Sequence, residues 1–236
     1  MIITSTSYDI LTPISNPMII DKEVELAPGI TKTDYKDARG WNELKHLERI
    51  ARVCYRSEGQ ITEDSLDSAK SLISKLIKRG HEAMLEHGSF SVIFTVDRAL
   101  SHELVRHRMA SFAQESQRYC NYSKDQFDSN VTFIQPWWMD EEDDVGYETW
   151  KRACLRAESA YFELLDFGYP PEKARMVLPN CTKTEIVVTA NYREWRHILK
   201  LRCANDAHPD MRHLMRGLLT ELKASLPVIF DDIKGE

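Results

Sequence analysis

Apolar and polar positions follow two different periods along the chain, which predicts a mixture of helices and strands. Apolar residues recur every three or four positions over 65–78, the period of an amphipathic helix, and Gly80 is placed to end that helix. In residues 90–96 every second position is apolar (Phe90, Val92, Phe94 and Val96), which predicts a strand with one face more buried than the other. A second strand is predicted over 184–190.

The remaining pattern predicts further helices and one α+β domain. Prolines and a glycine break up roughly the first 40 residues, which predicts strands and turns there. The acidic run 140–144 fits a solvated loop or a helix N-terminus. The strands are too few for a repeated βαβ pattern, so the working model is a single domain over 1–236. Helical patterns cover 41–56, 98–108, 148–167, a short turn at 172–178 after two prolines, 192–201 and 209–226.

Composition restricts the function classes. The chain has 236 residues with a formal net charge of −6, so a broad nucleic-acid-binding surface is not expected. Apolar runs stay well short of the roughly 20 residues that span a bilayer, and the N-terminus lacks the pattern of a signal peptide. The cysteines are five in number and scattered, which favours a reducing compartment. We expect a cytoplasmic protein without membrane or nucleic-acid partners.

The segment 106–118 carries the strongest chemical signal. It contains Arg106, His107, Arg108 and Arg118 together with serines and glutamines, and it lacks glycine and proline. Guanidinium groups stay charged and present a flat fork of donors that suits anions. The structural alternative is that Glu103 pairs with Arg106 on one helical face while the other cations favour a helix C-terminus.

Two other kinds of site, a metal site and a catalytic cysteine, have less support in the sequence than the arginine segment. A histidine–carboxylate metal site would need the H-E-x-x-H spacing, but His107 lies five positions after His102 and so leaves the shared helical face; we therefore expect no metal. A catalytic thiolate at Cys181 would need a neighbouring histidine or cation. Its sequence neighbours include no histidine, so an inert cysteine is the better interpretation, although Arg175 could lie near it.

A second polar cluster lies towards the C-terminus. Arg193 and His197 are four residues apart on the predicted helix, Asn191 precedes that helix, and Arg202 ends it. Caps and surface ion pairs would explain any one of these residues. Two separate groups of arginine, histidine and amide side chains suit two halves of one anion-rich pocket better.

Together these motifs resemble the flavin-dependent thymidylate synthases. Arg106-His107-Arg108, then seven residues, then Ser116 and Arg118 two positions later match the signature of that family. Three further segments are similar to its other motifs: Gly80-His81-Glu82, residues 174–179, and Asn191-x-Arg193 with His197 and Leu201-Arg202. The resemblance covers about residues 80–202 and implies an α+β fold, with an antiparallel-type central sheet surrounded by helices.

The resemblance also implies a reaction. The family converts dUMP to dTMP with methylene from 5,10-methylenetetrahydrofolate and a hydride from reduced FAD, which NADPH reduces. It implies a homotetramer with active sites shared between subunits. Arg202 and Ser116 are then the catalytic candidates. Arg202 would stabilise an ionised pyrimidine, because arginine does not lose its proton, and Ser116 would position the uracil.

The same resemblance assigns binding residues. Those implied at FAD are His81, Ala83, Arg106, His107, Arg108, Gln114, Asn191, Tyr192, Arg193 and His197. Those implied at dUMP are Glu103, Leu104, Val105, Arg106, Gln114, Glu115, Ser116, Gln117, Arg118, Arg175 and Arg202. Glu103 to Arg106 would come from another subunit, and Arg118 and Arg175 would hold the phosphate. Two rivals are a flavin-free thymidylate synthase that uses a cysteine and a nucleotide- or single-strand-binding module.

Overall fold

The computed structural model describes residues 1–11, 32–62, 64–124, 129–139 and 144–235. The chain divides into two compact units, one of residues 1–9 and 92–188 and one of residues 10–91 and 189–236. The helices are α1 Lys32–Val53, α2 Asp67–Lys78, α3 Arg98–Leu104, α4 Asp144–Asp166, α5 Pro171–Ala174, α6 Tyr192–Arg202 and α7 Pro209–Ser225. The strands are β1 Ile2–Thr4, β2 Ser7–Leu11, β3 Ser89–Asp97, β4 Ser111–Gln114, β5 Thr132–Ile134 and β6 Lys183–Asn191.

The strands form two sheets. The larger has the order β2-β3-β6-β4 and the smaller pairs β1 with β5. The four-stranded sheet is antiparallel, whereas β1 and β5 run parallel, with Ile2 opposite Thr132. Together with the helices, these sheets confirm the predicted α+β class.

The first unit, residues 1–9 and 92–188, packs α4 and α5 around an apolar cluster. Its core includes Phe133 of β5, Cys154 and Tyr161 of α4, and Ala174 of α5, each at most 1% exposed. The Tyr161 hydroxyl accepts a hydrogen bond from the backbone N–H of Tyr122 at 3.4 Å. This cluster fixes the segments that lead into β6.

The second unit, residues 10–91 and 189–236, packs α1, α2, α6 and α7 against one another. Trp195 of α6 is fully buried and stacks on Phe90 with ring centroids 4.8 Å apart. Its indole N–H donates to the Phe90 carbonyl at 3.1 Å. Because the ring is both stacked and hydrogen-bonded, the position of α6 is closely defined.

Both long strands run directly into a capped helix. Asp97 ends β3, and its carboxylate accepts from Leu100 N–H at 2.7 Å. Asn191 ends β6, and its side-chain oxygen accepts from Glu194 N–H at 2.8 Å. Each side chain satisfies one of the unpaired N–H groups at the start of a helix, so α3 and α6 begin at defined positions.

Most elements predicted from the periodicity are confirmed. The alternating apolar residues of β3 (Phe90, Val92, Phe94 and Val96) are at most 2% exposed, and the predicted helices over 65–78, 148–167, 192–201 and 209–226 correspond to α2, α4, α6 and α7. The turn predicted over 172–178 is α5 followed by a 3-10 turn. Within the described residues, no helix has both the length and the apolar character that crossing a membrane requires.

Two predictions are wrong. Residues 32–40 lie in α1 and not in strands or turns, because their charged residues hide the helical period. The helix predicted over 98–108 ends at Leu104. Residues 140–143 of the acidic run and 12–31 of the N-terminal region lie outside the described residues, although α4 does begin at Asp144. The single domain over 1–236 stays a prediction.

Candidate active site

The signature segment begins where α3 ends. After Leu104 the backbone forms short turns: Arg106 N–H donates to Glu103 O at 3.3 Å, and His107 N–H donates to Leu104 O at 3.2 Å. These bonds reach three residues back and not the four of an α-helix. The predicted helical face of Glu103, Arg106 and His107 is therefore not formed, and the turns set the directions of these side chains.

Burial alternates along the arginine–histidine motif. Arg106 and Arg108 are exposed, whereas His107 between them is buried. Among the other residues expected at dUMP, Leu104 is buried in the core, Val105 is 39% exposed and Glu103 is half-buried. The motif thus presents two guanidinium groups to solvent around one buried imidazole.

Gln114 ends β4 inside a cluster of hydroxyl groups. Its amide N–H₂ donates to Ser101 Oγ at 2.9 Å and to Thr184 Oγ1 at 3.2 Å. Arg98 donates to the same Thr184 oxygen at 3.2 Å and to Glu115 O at 3.3 Å. No motif marks Arg98 in the sequence; its place directly after the strand residue Asp97 is the signal that could have found it. These bonds fix the start of the segment 114–118.

Ser116 opens the turn that carries Arg118. Its Oγ accepts from Arg118 N–H at 3.4 Å, and its carbonyl accepts from Tyr119 N–H and Cys120 N–H at 3.1 and 3.0 Å. Ser116 is half-buried, as is Glu115, while Gln117 is buried. Bonds of this kind, between a serine and the backbone of the next few residues, stabilise a turn.

The two arginines expected at the phosphate both contact Glu172. Arg118 Nε lies 3.8 Å from a Glu172 carboxylate oxygen, and Arg175 Nε donates to the Glu172 backbone oxygen at 3.3 Å. The side chains of Arg118 and Glu172 are 56% and 49% exposed. An exposed ion pair at this distance is weak, so an incoming anion can displace the carboxylate. Glu172 is another residue that no sequence motif marks.

In the second unit, His81 follows a glycine-terminated helix. Gly80 has φ of +72°; its N–H donates to Ile77 O, and His81 N–H donates to Leu76 O at 2.8 Å, which is the Schellman pattern. The exposed imidazole has its Nδ1 3.4 Å from the Tyr55 hydroxyl. Ala83 is exposed at the start of the 3-10 turn Ala83–His87. Gly80 thus ends α2 and fixes the backbone direction at His81.

Asn191 and Tyr192 have structural partners within this unit. The Asn191 side-chain oxygen caps α6, as described above. Tyr192 is 1% exposed, and its burial raises the pKa of its hydroxyl, with Glu43 adding to the shift. Its N–H donates to Gly88 O at 3.0 Å, and a Cβ at position 88 would lie 2.1 Å from the Tyr192 ring. Contact of either residue with FAD stays a prediction.

Helix α6 presents Arg193 and His197 on one exposed face, as their spacing predicts. Arg193 pairs with Glu86 and lies 3.9 Å from a Glu82 carboxylate oxygen. Arg202 is the last residue of the helix and is half-buried. Within the same helix, burial raises the pKa of the Glu194 carboxyl, and the charge of His197 partly offsets the shift.

Arg196 is a buried cation that the sequence patterns do not mark. Its side chain is 1% exposed and donates to Asp232 at 2.6 and 2.8 Å, to Glu82 at 3.3 Å, and to the Ile229 carbonyl. Burial alone would lower its pKa, but the bonds and charges of Asp232 and Glu82 raise it. Glu82 thus lies between Arg193 and Arg196, which orders the segment that carries His81.

Comparison with solved structures identifies the fold. A UMP/dUMP methylase from Streptomyces cacaoi, crystallised with 5-Br dUMP, superimposes with a TM-score of 0.70 at 22% identity, over 98% of this chain and 96% of that one. At this identity the similarity establishes a shared architecture. The chain is therefore a protein with the fold of that methylase.

Sequence comparisons identify the family. The family model described as "thymidylate synthase complementing protein" matches residues 39–228. A flavin-dependent thymidylate synthase from Geobacter sulfurreducens is 39% identical over 77% of this chain and 78% of that protein. One from Mycobacterium tuberculosis is 34% identical over 87% and 88%. The chain belongs to the thymidylate synthase complementing protein family, which confirms the resemblance found in the sequence.

Proposed function

We propose that the chain is a flavin-dependent thymidylate synthase, a methyltransferase that converts dUMP to dTMP. The carbon would come from 5,10-methylenetetrahydrofolate, and reduced FAD would supply the hydride after reduction by NADPH. Family membership supports the reaction class. One observation supports the substrate assignment. Arg118 and Arg175 are distant from each other in sequence, yet both contact Glu172.

The phosphate of dUMP would bind between the guanidinium groups of Arg118 and Arg175, which we call the Arg118–Arg175 cluster. Two guanidinium groups supply charge-assisted donors, each contributing roughly 1.5–3 kcal/mol when paired with an anion. The turn opened by Ser116 fixes the backbone N–H of Arg118, so the segment is ordered before the substrate arrives. A phosphate dianion would take the place of the weakly held Glu172 carboxylate.

Arg202 would act on the pyrimidine. Methylation at C5 without a covalent enzyme adduct requires negative charge on the ring, and a fixed cation at the N3–O4 edge stabilises that charge. Arg202 is suited to this because its guanidinium stays protonated. Ser116 would orient the uracil, and Gln114, held by Ser101 and Thr184, would present its amide to the same ligand.

The chemistry of the side chains predicted at the flavin fits an anionic cofactor. Arg106, Arg108, Arg193, His81 and His197 are exposed, and FAD carries a pyrophosphate that needs such donors. Glu82 and Glu86 hold Arg193 in place. That these residues and the Arg118–Arg175 cluster line one pocket stays a prediction.

We also propose a cytoplasmic homotetramer whose active sites are shared between subunits, with Glu103 to Arg106 reaching the neighbouring site. Large apolar side chains lie exposed beside the binding segments: Met109 is 75% and Met176 79% exposed. A subunit contact would remove this apolar surface from water.

The visible spectrum of the purified protein, followed by an assay, tests the proposal. We expect a flavin absorption band, or its recovery on adding FAD, and formation of dTMP that requires dUMP, methylenetetrahydrofolate and NADPH together. Protein that binds no flavin and makes no dTMP under these conditions would contradict the proposal. A nucleic-acid-binding module would instead be colourless and bind single strands with a steep salt dependence.

The rival mechanism through a cysteine is tested at Cys181. That mechanism uses a Pro-Cys-His context, whereas Cys181 follows Asn180 and precedes Thr182. We expect Cys181→Ala to keep most dTMP synthesis. Complete loss of activity in a variant that still binds flavin would favour the cysteine mechanism.

A further inference from the structure

Two cysteines that the proposed reaction does not use lie in contact within the first unit. The Sγ atoms of Cys154 and Cys181 are 3.5 Å apart, although the residues are 27 positions apart in sequence. Cys154 lies on α4 with 1% of its surface exposed, while Cys181 is partly buried at the edge of the same apolar cluster. Cys181 is therefore the less buried residue of the pair.

Hydrogen bonds hold the Cys181 side of this contact, and apolar packing holds the Cys154 side. The Cys181 carbonyl accepts from Ile134 N–H at 2.8 Å. The neighbouring Thr182 bonds twice to the Pro179 carbonyl, through its N–H at 3.1 Å and its hydroxyl at 2.7 Å. On the other side, Cys154 packs in the core of α4. The two sulfur atoms are thus neighbours because of the fold, and not because of a mobile loop.

The two thiols differ in their acidity. The hydrogen bond from Cys154 lowers the pKa of Cys181, and the same bond, together with burial, raises the pKa of Cys154. The less buried residue, Cys181, is thus the one that forms a thiolate more readily, and the buried Cys154 keeps its proton. This division of roles is that of an attacking and a resolving cysteine in thiol–disulfide exchange.

We propose that Cys154 and Cys181 form a reversible redox site, which a low-molecular-weight disulfide oxidises to an intrachain disulfide. The Cys181 thiolate attacks one sulfur of the small disulfide, forms a mixed disulfide and releases one thiolate. The Cys154 thiol gives its proton to that leaving thiolate, and its sulfur then attacks Cys181 Sγ and releases the second thiolate. The second thiolate takes up the proton that Cys181 released on ionising. In total the protein loses two electrons and two protons, and the small disulfide becomes two thiols.

The bond would join α4 to the segment that follows Arg175. Forming a bond of about 2.05 Å requires the sulfurs to approach by roughly 1.5 Å, so α4 or the turn 179–182 would have to shift slightly. Closing a loop of this length constrains the unfolded chain and stabilises the fold. The site is separate from the proposed dTMP chemistry and does not depend on it.

Peptide mapping of the unaltered protein tests the proposal. The purified full-length chain is incubated with oxidised glutathione, and its remaining thiols are alkylated under denaturing conditions. The protein is then digested, and the peptide masses are measured by mass spectrometry. We expect a linked Cys154–Cys181 peptide pair, lighter by two hydrogen masses, in more than half of the molecules, and its reversal by dithiothreitol. The oxidised protein should melt roughly 5 °C higher or more.

Single variants separate the two roles. In Cys154→Ala, glutathione should stay attached to Cys181 as a mixed disulfide, because the resolving thiol is missing. In Cys181→Ala, Cys154 should stay reduced, because it is buried. Cys120→Ser, in the same unit, is the matched control and should still form the linked peptide and show the rise in melting temperature.

Three results would overturn the proposal. The first is both thiols remaining alkylatable after oxidation of the unaltered protein. The second is a link from either cysteine to a different partner in the chain. The third is a link between chains, seen as a dimer in a denaturing gel without reductant.

Discussion

The Glu172 carboxylate occupies a position beside Arg118 that suits an anionic ligand. The pair is exposed on both sides and 3.8 Å apart, so it contributes little to stability. In the proposed complex, the phosphate of dUMP would have to displace this carboxylate from Arg118. We therefore expect Glu172 to affect the affinity for dUMP without contacting the reacting atoms.

Glu172→Gln should lower the KM for dUMP while kcat stays the same. Removing an exposed ion pair worth about 0.2–1 kcal/mol corresponds to a KM lower by roughly 1.4- to 5-fold. Steady-state kinetics at varied dUMP measure the change. Glu148→Gln, which removes a similar exposed pair with Lys151 on α4, is the control. A higher KM in the Glu172 variant would show that the carboxylate supports binding.

Arg202→Ala should separate flavin binding from methyl transfer. We expect the variant to bind FAD and oxidise NADPH but to form dTMP at a rate lower by roughly 100-fold or more, as for the loss of a transition-state donor. Arg202→Lys should recover only part of the rate, because an ammonium lacks the flat fork. Lys200→Ala, exposed on the same helix, is the control. Equal loss of FAD binding would contradict the role given to Arg202.

Two capped junctions between a strand and a helix precede the two groups of candidate site residues. Asp97 starts α3, which leads to the signature segment, and Asn191 starts α6, which carries Arg193, His197 and Arg202. The same device therefore defines the start of each helix. Weakening a cap should therefore lower the stability of the fold more than it lowers the catalytic rate.

Asp97→Ala should lower the free energy of unfolding by about 1–2 kcal/mol, because Leu100 N–H loses its acceptor. Urea unfolding at neutral pH measures the loss. Asp97→Asn keeps a capping oxygen and should retain most of the stability. Similar stability of the alanine variant and the unaltered protein would show that the cap contributes nothing.

Sequence periodicity predicts an element well when one buried face runs through it. The strands β3 and β6 and the helices α2, α6 and α7 have such a face. The strands β4 and β5 have four and three residues, too few to show an alternating pattern. The early end of α3 was also hidden, since the polar residues 106–108 fit a helix surface as well as a turn.

Family motifs mark the residues expected at the site but not the residues that support them. Ser116, Arg118, Arg193 and Arg202 were marked because they lie in motifs. Arg98, Glu172 and Arg196 were not, because their partners are distant in sequence: Arg196 bonds to Glu82, 114 positions away. Contacts of this kind depend on tertiary packing, which a single sequence does not display.

At the scale of the whole molecule, the C-terminal segment is tied back onto the second unit. Arg196 binds Asp232 and the Ile229 carbonyl, and Lys223 Nζ donates to Ile233 O at 2.7 Å. The hydrogen bonds from Arg196 lower the pKa of the Asp232 carboxyl. The unfolded chain therefore binds this proton more readily than the folded protein does.

Asp232→Asn should reduce stability at neutral pH and lose this effect in acid. The contribution of the ion pair is present above the ordinary carboxyl pKa of about 3.9 and disappears as the pH falls through the lower folded value. We expect about 1 kcal/mol at pH 7, less than for a buried pair because the Asp232 side chain is 48% exposed. Urea unfolding of both proteins across acidic pH measures the difference. A difference that does not shrink in acid would contradict the ion-pair explanation.

The close approach of Gly88 to the Tyr192 ring makes these two positions interdependent. A methyl group at position 88 would overlap the ring at 2.1 Å, and the tyrosine is buried. Substitutions at 88 should therefore be tolerated only together with a smaller residue at 192. A mutant library that varies the two sites separately would lose such combinations, whereas one that varies them jointly would retain them.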